Sequence, residues 1–140
     1  MSEKQLGLAQ AQKIIDAMLT YERSMQQGRK SSFAVVDSAG VLIAFIRMDG
    51  ASALSADMAI NKAFTALYWK RDTAEIFEFL QKQSREVAYF SNVEKQAPIP
   101  GGILLKTADG TIVGAVGSSG RPATEDQELA IAGAKAFHES

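Results

Sequence analysis

Apolar and polar positions along this chain alternate with two different periods, and the changes of period divide it into elements. From Leu6 to Gln27, the residues Leu8, Ala11, Ile15 and Met18 recur at spacings of three and four, one face of an amphipathic helix that Gly28 is placed to end. Ser32–Val36 and Val41–Ile46 are then dense in β-branched and aromatic residues. Asp37-Ser-Ala-Gly40 lies between them, so an antiparallel hairpin is predicted. Helical spacing returns from Ala51 to Lys70, where Ser52, Ala56, Ala59, Ala63 and Ala66 make a seam of small residues. Such a seam lets a helix lie close to its support, and Ile60, Phe64 and Leu67 occupy the adjoining side. A further helix is expected after Asp72 or Thr73, with Ile76, Phe77 and Leu80 apolar.

A less regular passage, Glu86 to Ala97, leads to Pro98-Ile-Pro-Gly-Gly102. Proline fixes an extended approach and removes amide donors, and the glycines allow a sharp turn or close approach, so this stretch is expected to begin an edge or bulged strand. Ile103–Lys106 and Ile112–Val116 flank Thr107-Ala-Asp-Gly110, a second hairpin. Ser118 to Ala123 is expected to be a loop, and Thr124-Glu-Asp-Gln127 has the capping-box form that starts a last helix toward Phe137. Paired hairpins among helices predict an α+β fold, a central antiparallel sheet flanked by helices, in one domain over residues 1–140.

Composition narrows the function classes. The 140 residues are 46% hydrophobic and 22% charged, as in ordinary soluble domains. Fifteen basic against 16 acidic residues leave a formal charge of -1, so there is no electrostatic drive toward nucleic acid or an acidic membrane. No cysteine is available for a disulfide, a thiolate nucleophile or a cysteine metal site, and no zinc site is expected. The amino-terminal stretch lacks the apolar core of a signal peptide and no run has membrane-spanning length, which gives a cytoplasmic expectation. The single histidine, His138, lies two residues from the carboxyl end and is expected to be exposed and non-catalytic. The serines of Gly117-Ser-Ser-Gly120 depart from the nucleophile-elbow pattern.

Three places could carry chemistry. In Arg47-Met-Asp-Gly-Ala51, Asp49 can accept amide bonds at the start of a helix and Gly50 permits a change of direction. Arg47 can pair with a nearby acid or grip a ligand carboxylate. Lys62 has Ser55, Met58, Thr65 and Trp69 as helical neighbours, so its amine could bind an anion, act as a base if desolvated, or simply snorkel at the helix edge. The Gly117–Gly120 turn brings Ser118 and Ser119 near a helix start, where a carboxylate could be held with charge from Arg121; its ordinary role is a tight connection.

Taken together, Arg47-Met-Asp-Gly-Ala51, Ala59-Ile-Asn-Lys-Ala63, Pro98–Gly102, Gly114-Ala-Val-Gly117-Ser-Ser-Gly120 and Glu125-Asp-Gln-Glu-Leu-Ala130 resemble the GlcG/HbpS family of haem-binding-type proteins, over nearly the whole chain. The resemblance implies a profilin-like domain that assembles as a homo-oligomer. The family also includes haem-degrading proteins and a domain attached to a corrinoid adenosyltransferase. One departure matters: many relatives carry a polar residue or histidine where Ile46 stands, and the first helix here has no histidine. A haem iron would then draw its axial group from Met48, Tyr89 or a hydroxyl.

Three functions follow as expectations. The first is binding of haem or a related tetrapyrrole, with Arg47, Lys62 or Arg121 on its carboxylates and Met48, Gly101, Gly102, Ser118 and Ser119 around it. The second is lyase or isomerase chemistry on an aromatic or hydroxy carboxylate in catabolism. Arg47 would orient the substrate, Asp49 or Lys62 would move a proton, and the amides around Gly101, Gly102 and Ser118 would stabilise oxygen charge. The third is an oligomeric structural or regulatory subunit that assembles through the small-residue seam and the exposed sheet.

Overall fold

A computed structural model describes residues 5–25, 28, 30–83 and 93–139. Helix α1 (Leu8–Ser24) precedes the hairpin of β1 (Ser32–Asp37) and β2 (Leu42–Arg47). Helices α2 (Ala53–Trp69) and α3 (Thr73–Lys82) follow, and a short 3-10 turn, Val93–Lys95, leads to the hairpin of β3 (Gly102–Lys106) and β4 (Ile112–Ser119). The last helix is α4 (Ala123–Glu139). The strands form one antiparallel sheet in the order β2-β1-β4-β3, so each hairpin contributes one central and one edge strand. This is the α+β arrangement that the alternating periods predict, with the profilin-like form that the resemblance implies.

Strand alternation sends side chains to two different cores. Phe33, Val35, Ile103, Leu105 and Val116 face α1 and α4, where they meet Ile14, Met18, Leu129 and Phe137. Val36, Leu104 and Ala115 face the other way, onto Ala63 and Ala66 of α2. Each fully buried large side chain contributes roughly 1.5–3 kcal/mol, so the larger residues of the first face dominate the core's stability. The second face achieves contact by omission of side chains. A Cβ added to Gly117 would lie 1.9 Å from the Ala59 carbonyl oxygen, and one added to Gly102 would lie 2.4 Å from that of Lys62. The backbone of α2 therefore rests directly on β3 and β4, at the small-residue seam; Ala59, Ala63 and Ala66 are buried, whereas Ser52 is exposed and Ala56 half-buried.

Several boundaries differ from expectation. Helix α1 ends at Ser24, before Gly28, and Leu8 is 58% exposed while Ile14 fills the core position. The start of α2 is capped by Ser52, whose hydroxyl accepts the Ser55 N–H at 3.0 Å, and not by Asp49. Ser52 begins the first helical turn itself, so its short hydroxyl reaches the free amides that Asp49, three residues upstream, does not. Strand β4 runs on to Ser119, so Ser118 and Ser119 belong to the sheet and not to a loop. They lie opposite Phe33 and Ser32 of β1, and this pairing extends the ladder. Finally, α4 begins at Ala123, and Thr124 sits inside its first turn.

Candidate functional site

One end of the sheet collects most of the residues singled out in the sequence. In the ladder, Ser32 at the start of β1 lies opposite Arg47 on one side and Ser119 on the other. The Ser32 and Ser55 hydroxyls are 3.0 Å apart, which sets the amino-terminal end of α2 against this row. Arg47 is exposed, and its Nη1 donates to the Ala51 carbonyl at 2.8 Å, closing the Arg47–Ala51 turn around Gly50, whose φ is 85°. The remaining guanidinium donors have no partner among the described residues. Met48 is half-buried, and its sulfur accepts the Ser31 N–H at 3.4 Å while its own N–H reaches the Ser31 carbonyl at 3.0 Å. Asp49 is exposed.

Lys62 occupies a different setting. It is 1% exposed, and its ammonium donates to the Ser118 carbonyl at 3.0 Å and to Asp126 Oδ2 at 3.1 Å. The side chain does not snorkel outward; it passes beneath Gly101, where a Cβ would stand 2.9 Å from Nζ. Burial lowers the Lys62 ammonium's pKa, with Asp126 opposing the shift. Burial likewise pushes the Asp126 carboxyl up to about 6, against the pull of Lys62. Both directions express the cost of holding a charged pair away from water.

Arg121 is also enclosed. Its Nη1 pairs with Glu22 Oε1, its Nε donates to Glu125 at 2.8 Å, and its backbone N–H donates to Asp126 Oδ1 at 3.1 Å. The second Glu22 oxygen takes the Ser31 hydroxyl. A chain of buried polar groups thus links α1, the start of β1, the loop before α4, α4 itself and α2. Lys62 and Arg121 are committed to internal acids, and of the three cations that the sequence offered, Arg47 alone keeps donors directed to solvent.

The three amides that could have stabilised oxygen charge are engaged as well. Gly101 N–H donates to Gln127 Oε1 at 3.1 Å, Gly102 N–H to Thr73 Oγ1 at 2.8 Å, and Ser118 N–H to the Gly101 carbonyl at 2.9 Å. Gly101 has φ 126°, which explains a glycine there. The Ser118 hydroxyl is fully buried and finds no partner among the described residues. The sequence pattern does not mark the side chains that hold this segment: Asp126 and Gln127 fit a capping box by spacing, and Asp72, which accepts Leu104 N–H at 2.9 Å, fits a helix start. Buried acids opposite Lys62 and Arg121 were implied only by the need of an enclosed cation for a partner.

Elsewhere, a cleft of about 310 Å³ lies between the two hairpin turns and the end of α2, away from the residues above. His138 is exposed, and its Nε2 accepts the Lys106 N–H at 3.1 Å. Among the described residues, no group of three His, Cys, Asp or Glu side chains could hold a metal ion, and no helix is long and apolar enough to cross a membrane. Tyr89 lies outside the described residues.

Comparison with known proteins adds independent findings. Residues 6–135 match the family described as haem degrading protein HbpS-like. The chain is 34% identical over 107 residues to an uncharacterized 15.0 kDa protein of the dhaT-dhaS intergenic region of Citrobacter freundii, covering 76% of this chain and 75% of the relative. Klebsiella pneumoniae ORFY superposes with a TM-score of 0.85 at 28% identity, over 98% of this chain and 93% of the other. PduOC in its complex with haem gives a TM-score of 0.81 at 25% identity, over 94% of both chains.

Proposed function

Because the chain belongs to the HbpS-like family, we propose that it binds haem or a related tetrapyrrole at the sheet end that carries Arg47. The observation that carries this reading is the likeness to PduOC, a haem complex, over 94% of both chains. The local chemistry supports a grip on the tetrapyrrole's carboxylates. Arg47 stands beside the amino-terminal end of α2, its backbone turn is fixed by Gly50, and its free donors suit bidentate carboxylate binding. A helix start adds favourable potential for an anion.

Among the described residues, the fit to iron is weaker than the fit to carboxylates. His138 is at the end of β3 remote from Arg47, and the Met48 sulfur is turned to the Ser31 amide. Haem bound here would supply its own iron chemistry; the role of this chain's residues is to hold and orient the macrocycle, with Arg47 on a carboxylate at the β2 edge and the Pro98–Gly102 segment at the β3 edge of the same sheet end. Lyase or isomerase chemistry through Lys62 is the less favoured reading, because a substrate would have to displace Asp126 from an amine that is 1% exposed.

Titration of the purified chain with haemin is the direct test. The expected result is a saturable Soret shift that Arg47→Ala weakens by about tenfold, the usual scale for one charge-assisted contact. A titration without saturation would remove the proposal.

A further inference from the structure

The cleft at the opposite end of the sheet has features of a second ligand site. It is bounded by the turns after β1 and β3 and by the carboxyl-terminal end of α2, and it is lined by Ser38, Leu67, Lys70, Gly110 and Ile112. Its volume of about 310 Å³ reaches the range of small-molecule sites. Leu67 and Ile112, both half-buried, give it an apolar floor, and Ser38 adds a hydroxyl. Lys70 is the one charged residue of the lining, and no interaction engages its side chain among the described residues. The acids of the two turns are folded back on their own backbone. Asp37 Oδ1 accepts Ala39 and Val41 amides at 2.9 and 3.0 Å, and Asp109 Oδ1 accepts the Thr111 amide at 3.1 Å.

The backbone of Lys70 supplies a second, independent observation. Its φ of 57° and ψ of 40° are left-handed, and among the described residues no other non-glycine has positive φ. The left-handed turn itself is a helix ending: Lys70 N–H reaches the Ala66 and Leu67 carbonyls, and Arg71 N–H reaches Ala66 at 3.1 Å. Glycine would adopt this conformation without strain, whereas a side chain there is disfavoured. The favourable effect of a cation at a helix end is of similar size, so the two roughly cancel. The fold thus explains the turn but not the choice of lysine. Uncommon backbone at a cleft wall is a recognised mark of a functional position.

We propose that this cleft binds a small monocarboxylic acid with an apolar body, its carboxylate on the Lys70 ammonium and its body on Leu67 and Ile112. The capping bonds already occupy the Ala66 and Leu67 carbonyls, so the dipole opposes the anion only weakly. The site is separate from Arg47 and does not depend on haem.

The test is an NMR titration of the isotope-labelled full chain with benzoate and with benzamide, its uncharged analogue. Saturable shifts at the Ser38, Gly110 and Ile112 amides are expected with benzoate, and binding of benzamide should be at least about tenfold weaker. Lys70→Gly should melt no lower than wild type yet lose at least about tenfold in benzoate affinity, while Lys70→Arg stays within about threefold. If Lys70→Gly does not fold, Lys70→Gln removes the charge alone and is expected to show the same loss. Unsaturable shifts at those amides, or wild-type affinity in the uncharged variants, would overturn the site.

Discussion

Lys62 of α2 and Asp126 of α4 meet at 3.1 Å although their helices pack on opposite faces of the sheet. The contact is made past the end of β3, beneath Gly101, where the missing side chain leaves room for the ammonium. Two charges withdrawn from water are retained because each answers the other, and because the Ser118 carbonyl and the Arg121 amide complete their bonding. Removing one partner strands the other. Lys62→Met is expected to cost about 3–5 kcal/mol in urea unfolding, and the double variant Lys62→Met/Asp126→Leu less than that single change. A double variant as unstable as the sum of its parts would show that the two residues are not coupled.

The same pair makes stability depend on acidity. Asp126 titrates near 3.8 when unfolded and is pushed up to about 6 in the fold, chiefly by burial. Between these values the folded chain binds more protons than the unfolded one, so stability must fall as pH rises. The contribution is complete below 3.8 and lost once pH exceeds about 6. Lys62, shifted downward by burial, acts in the opposite sense, in a window that closes at 10.5. Urea midpoints of wild type measured from pH 4 to 7, relative to Asp126→Asn, are expected to decline through this interval. A difference that stays flat or rises would contradict the raised carboxyl.

Close contact between α2 and the sheet sets another sharp expectation. The atom that a Gly117 side chain would strike is the Ala59 backbone oxygen, at 1.9 Å, and no rotamer change can move it. Gly117→Ala should force α2 away from β4 and lower stability by about 3 kcal/mol or more, beyond ordinary overpacking. An alanine variant with an unchanged thermal midpoint would mean that α2 can shift at little cost.

Much of this was legible because local patterns dictate it. The two hairpins follow from Asp37–Gly40 and Thr107–Gly110, each of which pairs a turn-forming acid with a glycine of positive φ. The alanine seam of α2 announced a close-packed helix. What the sequence left undecided was the fate of its charges, since a lysine at helical spacing reads alike whether it meets water or Asp126, 64 positions away. Likewise Gln127 fits a capping box by spacing, yet the fold brings Gly101 N–H within its reach. The extension of β4 through Ser118 and Ser119 went unseen because glycine and serine carry little strand preference. Pairing with β1 supplies what propensity does not.

Ser118 gives a prediction of the reverse sign. Its hydroxyl is fully buried without a partner among the described residues, so the fold bears a desolvation cost that no hydrogen bond from them offsets. Ser118→Ala should raise the urea midpoint, with a gain of about 1 kcal/mol. Destabilisation instead would indicate a partner for this hydroxyl, a buried water among the candidates.

The two arginines offered by the sequence should separate cleanly. Arg121 is 9% exposed and pairs with Glu22, itself 4% exposed, so Arg121→Ala leaves a buried carboxylate uncompensated and should cost about 3–5 kcal/mol. Arg47 is exposed and bonded only to the Ala51 carbonyl among the described residues, so Arg47→Ala should change stability by about 1 kcal/mol or less. In ligand binding the order reverses: Arg47→Ala is expected to weaken protoporphyrin IX and haemin alike by about tenfold, because the contact is to a carboxylate that both possess. Metal-free protoporphyrin should bind wild type within about tenfold of haemin if that grip dominates over iron ligation. Fluorescence quenching with the metal-free ring and Soret titration with haemin measure the two arms. A chain that binds haemin but ignores protoporphyrin would shift the weight to the iron and away from Arg47.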